Sequence, residues 1–200
     1  MIDRGMTGVF GQAGSGKTTL LKELLRPLTR VILWDSKYNE FDTVNFDTLE
    51  GMAGYLEERS RPGGFFKVSY RPKPWEYEAF LEIVTACGQR GDLTCVVEEA
   101  RRLPPYRESP ALDNLLNEGR HEGVEMIFAT LRPFQLEPEC RAQLTDVYSF
   151  YQTRDADIKA LRDEMGDVAL EIPRLAPKYE YLHWNKFTGE TGVIKGRTKI

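Results

Sequence analysis

The chain has 200 residues but only three cysteines and two histidines. Cys87, Cys95 and Cys140 form no CxxC pair, and neither His121 nor His183 sits near a cysteine pair. That spacing fits no disulfide framework and no structural zinc site. Free, mostly buried thiols are expected, because buried cysteine behaves as a small hydrophobe. Long apolar runs are missing too: none approaches the roughly 20 residues that span a bilayer. The opening stretch Met-Ile-Asp-Arg-Gly-Met-Thr-Gly lacks both a signal peptide's apolar core and a transit peptide's basic amphipathic helix, so a cytoplasmic location is expected. Nor is there an excess of positive charge. With a net charge of −4, an isolated subunit has no global attraction to nucleic acid. Any DNA contact must come from a local basic patch, or from a ring of subunits presenting one face. There is no internal repeat, low-complexity segment or linker.

What is present is an alternation of helix and strand signals, the pattern of an α/β domain with a mostly parallel sheet. Strands are expected near 7–10, 31–34, 65–70, 93–97, 125–130 and 146–152. Helices are expected near 17–26, 48–59, 75–87, 110–121 and 155–165. Pro27 stops the first helix, Ser109 caps the one starting at 110, and Gly166 ends the last. Residues 179–184 and 192–195, around a turn at Thr188-Gly189, read as a terminal β-hairpin. A domain of this length buries roughly 70% of its unfolded surface. One domain is therefore expected, with a core over about 5–165 and the hairpin and tail over about 175–200.

The segment Gly11-Gln12-Ala13-Gly14-Ser15-Gly16-Lys17-Thr18 matches G-x-x-x-x-G-K-[ST] in full, between an expected strand and an expected helix. This is a P-loop. Its glycines let the chain fold tightly, so that backbone N–H groups point inward at phosphate oxygens. The N-terminus of the following helix, with Thr19 in its first turn, adds a favourable dipole. Lys17 should reach the β- and γ-phosphates, and the Thr18 hydroxyl should ligate Mg²⁺.

Thr94-Cys95-Val96-Val97-Glu98-Glu99 reads as a buried strand ending in two carboxylates. Glu98 is placed to hold Mg²⁺, directly or through water, and Glu99 to polarise the attacking water. Successive strand residues point to opposite faces, so both serve one site only if the strand ends and the backbone turns there. The plain alternative is a solvated acidic strand end. A switch GTPase is disfavoured, since no Asn-Lys-x-Asp stretch occurs.

The order P-loop, Val-Val-Glu-Glu-Ala-Arg-Arg-Leu (96–103), Glu-Gly-Arg-His-Glu-Gly-Val (118–124) and Ile-Phe-Ala-Thr-Leu-Arg-Pro (127–133) resembles the HerA/FtsK superfamily of DNA-pumping ATPases. It looks most like the genome-packaging ATPases of tailless, membrane-containing icosahedral viruses. The resemblance implies a RecA/ASCE-like P-loop NTPase fold, ATP and Mg²⁺ as ligands, and double-stranded DNA as substrate. It also implies a ring of five or six copies, with capsid-vertex or membrane proteins as further partners. It gives Glu98 and Glu99 the Walker B roles, with Glu99 as catalytic base. Arg120 matches the arginine finger that reaches a neighbouring subunit's γ-phosphate. Arg101 and Arg102 are rival fingers, and an ordinary helix-end cation is the plain reading of Arg120. One position departs from the pattern: Leu131 stands where the family has a γ-phosphate-sensing glutamine. Either Thr130 or Gln135 takes over, or the role is lost.

Other features are weaker. Asp35 follows the second strand on the edge where ligands of open α/β folds bind, though a turn or cap role is the simpler reading. Phe65, Phe66, Tyr70, Trp75 and Tyr77 surround Lys67, Arg71 and Lys73. They make either a base-stacking surface or a core with a solvated rim. The tail Lys195-Gly-Arg-Thr-Lys199 is either a phosphate contact or a frayed end. Two other classes compete with a motor: an ATP-binding assembly scaffold with little turnover, which Leu131 motivates, and a small-molecule kinase, for which no arginine-rich lid is found.

Overall fold

The computed structural model describes residues 5–35, 41–71, 73–119 and 121–196, apart from the side chain of residue 74. Short runs of apolar residues form the strands that lie deepest. These are β1 (Met6–Phe10), β2 (Arg30–Trp34) and β5 (Leu93–Glu98), in which every residue is buried. Continuous burial marks strands covered on both faces. The other strands are β3 (Val44–Phe46), β4 (Phe66–Tyr70), β6 (Val124–Thr130), β7 (Leu144–Phe150), β8 (Glu180–Asn185) and β9 (Thr191–Lys195).

They form one sheet in the order β3-β4-β2-β5-β6-β1-β7-β8-β9. The seven strands from β3 to β7 run parallel, while β8 and β9 are antiparallel additions. The expected terminal hairpin therefore extends the central sheet. Two further differences from the sequence reading are the short strand β3, and a helix that ends at Glu118 rather than 121.

Side chains alternate between two cores. Val31 and Leu33 of β2 face one, and Ile32 and Trp34 the other. Helix α1 (Lys17–Leu25) covers the first face through Leu20, Leu21 and Leu25. The second face is covered by α2 (Leu49–Arg59), α3 (Tyr77–Gly88), α4 (Pro110–Glu118) and α6 (Asp155–Met165), with the short α5 (Pro138–Ala142) beside them. Ser109 caps α4, accepting a hydrogen bond from the Leu112 N–H at 3.2 Å, and Gly166, at φ 72°, ends α6. Buried Arg30 joins two helix ends. Its guanidinium donates to the carbonyls of Ser60 at 3.2 Å, Arg61 at 3.1 Å and Cys87 at 2.8 Å. Carbonyls at helix C-termini favour such a cation.

Because seven strands are parallel, their C-terminal ends share one edge. That edge carries the turn after β1.

Candidate nucleotide site

The turn after β1 is tight. Gly14 and Gly16 adopt φ values of 76° and 115°, which side chains disfavour. At Gly11 a Cβ would lie 2.6 Å from Ser15 Oγ and 2.8 Å from Phe150 Cβ. The loop is anchored where the Gly11 N–H donates to the Thr130 carbonyl at 3.4 Å, and α1 begins directly after it. The Lys17 ammonium folds back on the loop, donating to the carbonyls of Gly11 at 2.5 Å and Gln12 at 3.1 Å. It thus caps the concavity that the sequence assigns to phosphate. Gln12, Ala13 and Gly14 form its exposed rim, Ser15 is buried, and Thr18 and Thr19 occupy the first turn of α1.

Glu98 ends β5 and is only 4% exposed. It pairs with Ala129 of β6, next to Thr130, which pairs with Phe10 of β1. Glu98 and Gly11 are thus two strands apart, or about 10 Å at the usual spacing. Glu99 has φ 55° and ψ 43°, a left-handed conformation rare for a residue with a side chain. The backbone therefore turns between the two glutamates, as their use in one site requires. Arg101 Nε lies 3.0 Å from Glu99 Oε2 in the same chain, and Arg102 is exposed.

Arg120 lies outside the described residues. Its neighbour Gly119 accepts a hydrogen bond from the Val124 N–H at 2.8 Å, at the start of β6. The register of β6 against β1, Met6 with Met126 and Phe10 with Thr130, puts that start on the edge opposite the loop.

Of the two sensor candidates, Thr130 is beside the loop and 1% exposed, and its Oγ1 has no hydrogen bond among the described residues. Gln135 is exposed in the 3₁₀ turn Pro133–Gln135. Sequence reasoning missed Gln152, which is buried beyond β7 and donates to the Leu131 carbonyl at 3.0 Å. Strand β1 lies between β6 and β7, so this bond crosses the end of β1 where the loop begins. It also missed fully buried Asp157, which accepts from Arg132 Nε at 3.0 Å and the Phe134 N–H at 3.2 Å. Neither contact has a local sequence signal.

The weaker candidates separate. Asp35 is buried at the end of β2, and residues 36–40 lie outside the described residues. Phe66, Tyr70 and Tyr77 are core, while Phe65 and Trp75 are exposed beyond opposite ends of β4, so the aromatics make no single stacking surface. Lys195 lies 3.9 Å from Glu180, and residues 197–200 lie outside the described residues. Cys87, Cys95 and Cys140 are free and buried, and burial pushes all three thiols up, Cys140 to about 12. Among the described residues no helix is long and apolar enough to cross a membrane, and no cluster of three His, Cys, Asp or Glu residues could hold a metal.

A glycine-rich loop between β1 and α1, and a carboxylate strand separated from β1 by one other strand, define a P-loop NTPase fold of the RecA/ASCE-like type. The sequence matches no family model and no curated protein. Solved structures do match. The genome-packaging NTPase B204 of Sulfolobus turreted icosahedral virus 2, in complex with ATP-gammaS, is 19% identical, with a TM-score of 0.79 over 98% of this chain and 99% of that one. B204 of Sulfolobus turreted icosahedral virus, a DNA-packaging ATPase, is 20% identical, with a TM-score of 0.78 over 99% and 100%. VirB4 of Thermoanaerobacter pseudethanolicus is 14% identical, with a TM-score of 0.66 over 98% and 89%. At these identities the likeness is one of fold.

Proposed function

We propose that this chain is an ATP-hydrolysing motor of the HerA/FtsK type, which moves double-stranded DNA and packages a viral genome into a preformed capsid. The observation that carries this reading is a complete phosphate loop on the same sheet edge as Glu98 and Glu99, in a fold shared end to end with viral packaging NTPases.

The triphosphate occupies the loop Gly11–Thr18, with the N–H groups of Lys17, Thr18 and Thr19 at its oxygens. Lys17 leaves the Gly11 and Gln12 carbonyls and takes phosphate oxygens instead. Mg²⁺ fits the buried Glu98 carboxylate and the Thr18 hydroxyl, and when bound it neutralises charge on the phosphates. Glu99 accepts the proton of the attacking water, which requires it to part from Arg101. Thr130 and Gln152, rather than exposed Gln135, flank the reacting phosphate where Leu131 contributes no polar group.

Arg120 serves a neighbour. Gly119 and His121 belong to the edge opposite the loop, and β6 alone spans roughly 20 Å. A ring of five or six copies, each presenting its loop edge to the next copy's other edge, brings Arg120 to a γ-phosphate. Capsid-vertex or membrane proteins would anchor such a ring.

The test mixes Glu99→Gln subunits with Arg120→Ala subunits and measures DNA-stimulated ATP hydrolysis. Each variant alone should lose activity, the arginine variant by on the order of 10³–10⁵, and the mixture should regain part of it. A protein that stays monomeric with nucleotide, and hydrolyses ATP regardless of DNA, would overturn the motor. The scaffold alternative, motivated by Leu131, instead expects slow hydrolysis that Glu99→Gln does not change.

A further inference from the structure

Among the described residues, two that are not glycine have positive φ: Glu99 and Tyr179, at φ 60°. Both flank the phosphate loop. Tyr179 has no place in the chemistry above, yet its backbone is tied to the loop. Its N–H donates to the Ser15 carbonyl at 2.8 Å, and its own carbonyl accepts from the Gly196 N–H at 2.5 Å. Its ring lies against the loop, with Cδ1 only 3.1 Å from where a Cβ on Gly16 would stand. The residue as a whole is half-buried.

Glycine would make the same two backbone bonds without strain in this left-handed conformation. A bulky side chain held there points to a use for the side chain. The sheet order suggests which. Glu98 and Glu99 lie on the β6–β5 side of the loop, and Tyr179 leads into β8 on the β7 side. A nucleoside triphosphate is linear. An extended nucleotide with its γ-phosphate toward the carboxylates directs its base to the opposite flank, where Tyr179 is.

We propose that Tyr179 is the base platform of the site, its ring stacking on the base of the bound nucleoside triphosphate. The proposal rests on the reading of Gly11–Thr18 as the triphosphate site. Because every base has a π-face, such a platform tolerates purines of either kind.

The test is equilibrium binding of ATP, GTP and inorganic tripolyphosphate to the wild type and to Tyr179→Phe, Tyr179→Ala and Tyr179→Gly, each checked for an unchanged melting curve. Tyr179→Phe should bind all three ligands as the wild type does. Tyr179→Ala should bind ATP and GTP about tenfold more weakly, the usual scale of one base–aromatic stack, and tripolyphosphate unchanged. Tyr179→Gly keeps the backbone bonds and relieves the strain, and should show the same split if the alanine variant does not fold. Equal weakening for ATP and tripolyphosphate would mean that Tyr179 only shapes the loop, and would overturn the platform. So would unchanged ATP affinity in the alanine or glycine variant. If the wild type binds none of the ligands, the phosphate-loop reading fails and the platform with it.

Discussion

Asp157 has no exposed surface, yet it sits in the first turn of α6 and is satisfied from two sides. Arg132 and the Phe134 N–H both reach its carboxylate, and the helix dipole favours a negative charge there. The pair fixes the chain just after Thr130, beside the loop. The two partners should not be equivalent. Arg132 is partly exposed and can turn to water, whereas Asp157 cannot. Arg132→Met should therefore cost about 3–5 kcal/mol, the penalty of stranding a buried charge. Asp157→Asn should cost only about 1–2 kcal/mol, because the single amide oxygen still accepts from the Phe134 N–H while the partly exposed Arg132 turns to water. Urea denaturation of the two variants measures the difference, and the reverse order would refute this account of the pair.

Strand pairing carries its own electrostatics where β8 joins β7. Asp146 Oδ1 lies 3.1 Å from His183 Nε2 and accepts from Asn185 Nδ2 at 2.8 Å. Burial pushes the Asp146 carboxyl up, but the hydrogen bonds from His183 and Asn185 and the charge of His183 outweigh it and leave it below the usual range. A depressed carboxylate stabilises the fold fully above its ordinary pKa, and that stability is lost as pH falls through the depressed value. The melting temperature should therefore fall more steeply from about pH 5 to about pH 3 in the wild type than in Asp146→Asn. Parallel pH profiles would remove Asp146 from the account. The elements legible in the sequence were those with local signals: the loop between its strand and helix, α4 with its Ser109 cap, and α6 with its Gly166 stop. Strand β3 has three residues, largely exposed, and exists through pairing with β4, so no local pattern announces it. Gln152 and Tyr179 were illegible for the same reason. Their partners, Leu131 and Ser15, are brought to them by sheet order rather than by spacing. The turn at Glu99 could be required from the sequence, but its pairing with Arg101 could not.

For the molecule as a whole, the decisive property is that the two edges of the sheet differ. One carries the phosphate loop and both glutamates, and the other carries the chain on either side of Arg120. Joining unlike edges gives a heterologous contact, which closes into a ring or runs on as a filament. If Arg120 completes a neighbour's site, as proposed, hydrolysis per subunit should rise with protein concentration until the assemblies fill, whereas a site complete in one chain would give constant specific activity. A net charge of −4 adds that DNA stimulation should appear only in the concentration range where subunits associate. The clamp that joins Ser15, Tyr179 and Gly196 has a practical side. It ties the end of β9 to the loop, so a dye on β9 would share the mechanical state of the nucleotide pocket. Val193 is half exposed on that strand, and the three native thiols are buried and poorly ionised. A single cysteine placed at Val193 would stand alone as a reactive handle, giving an optical gauge of loop occupancy on an otherwise silent background.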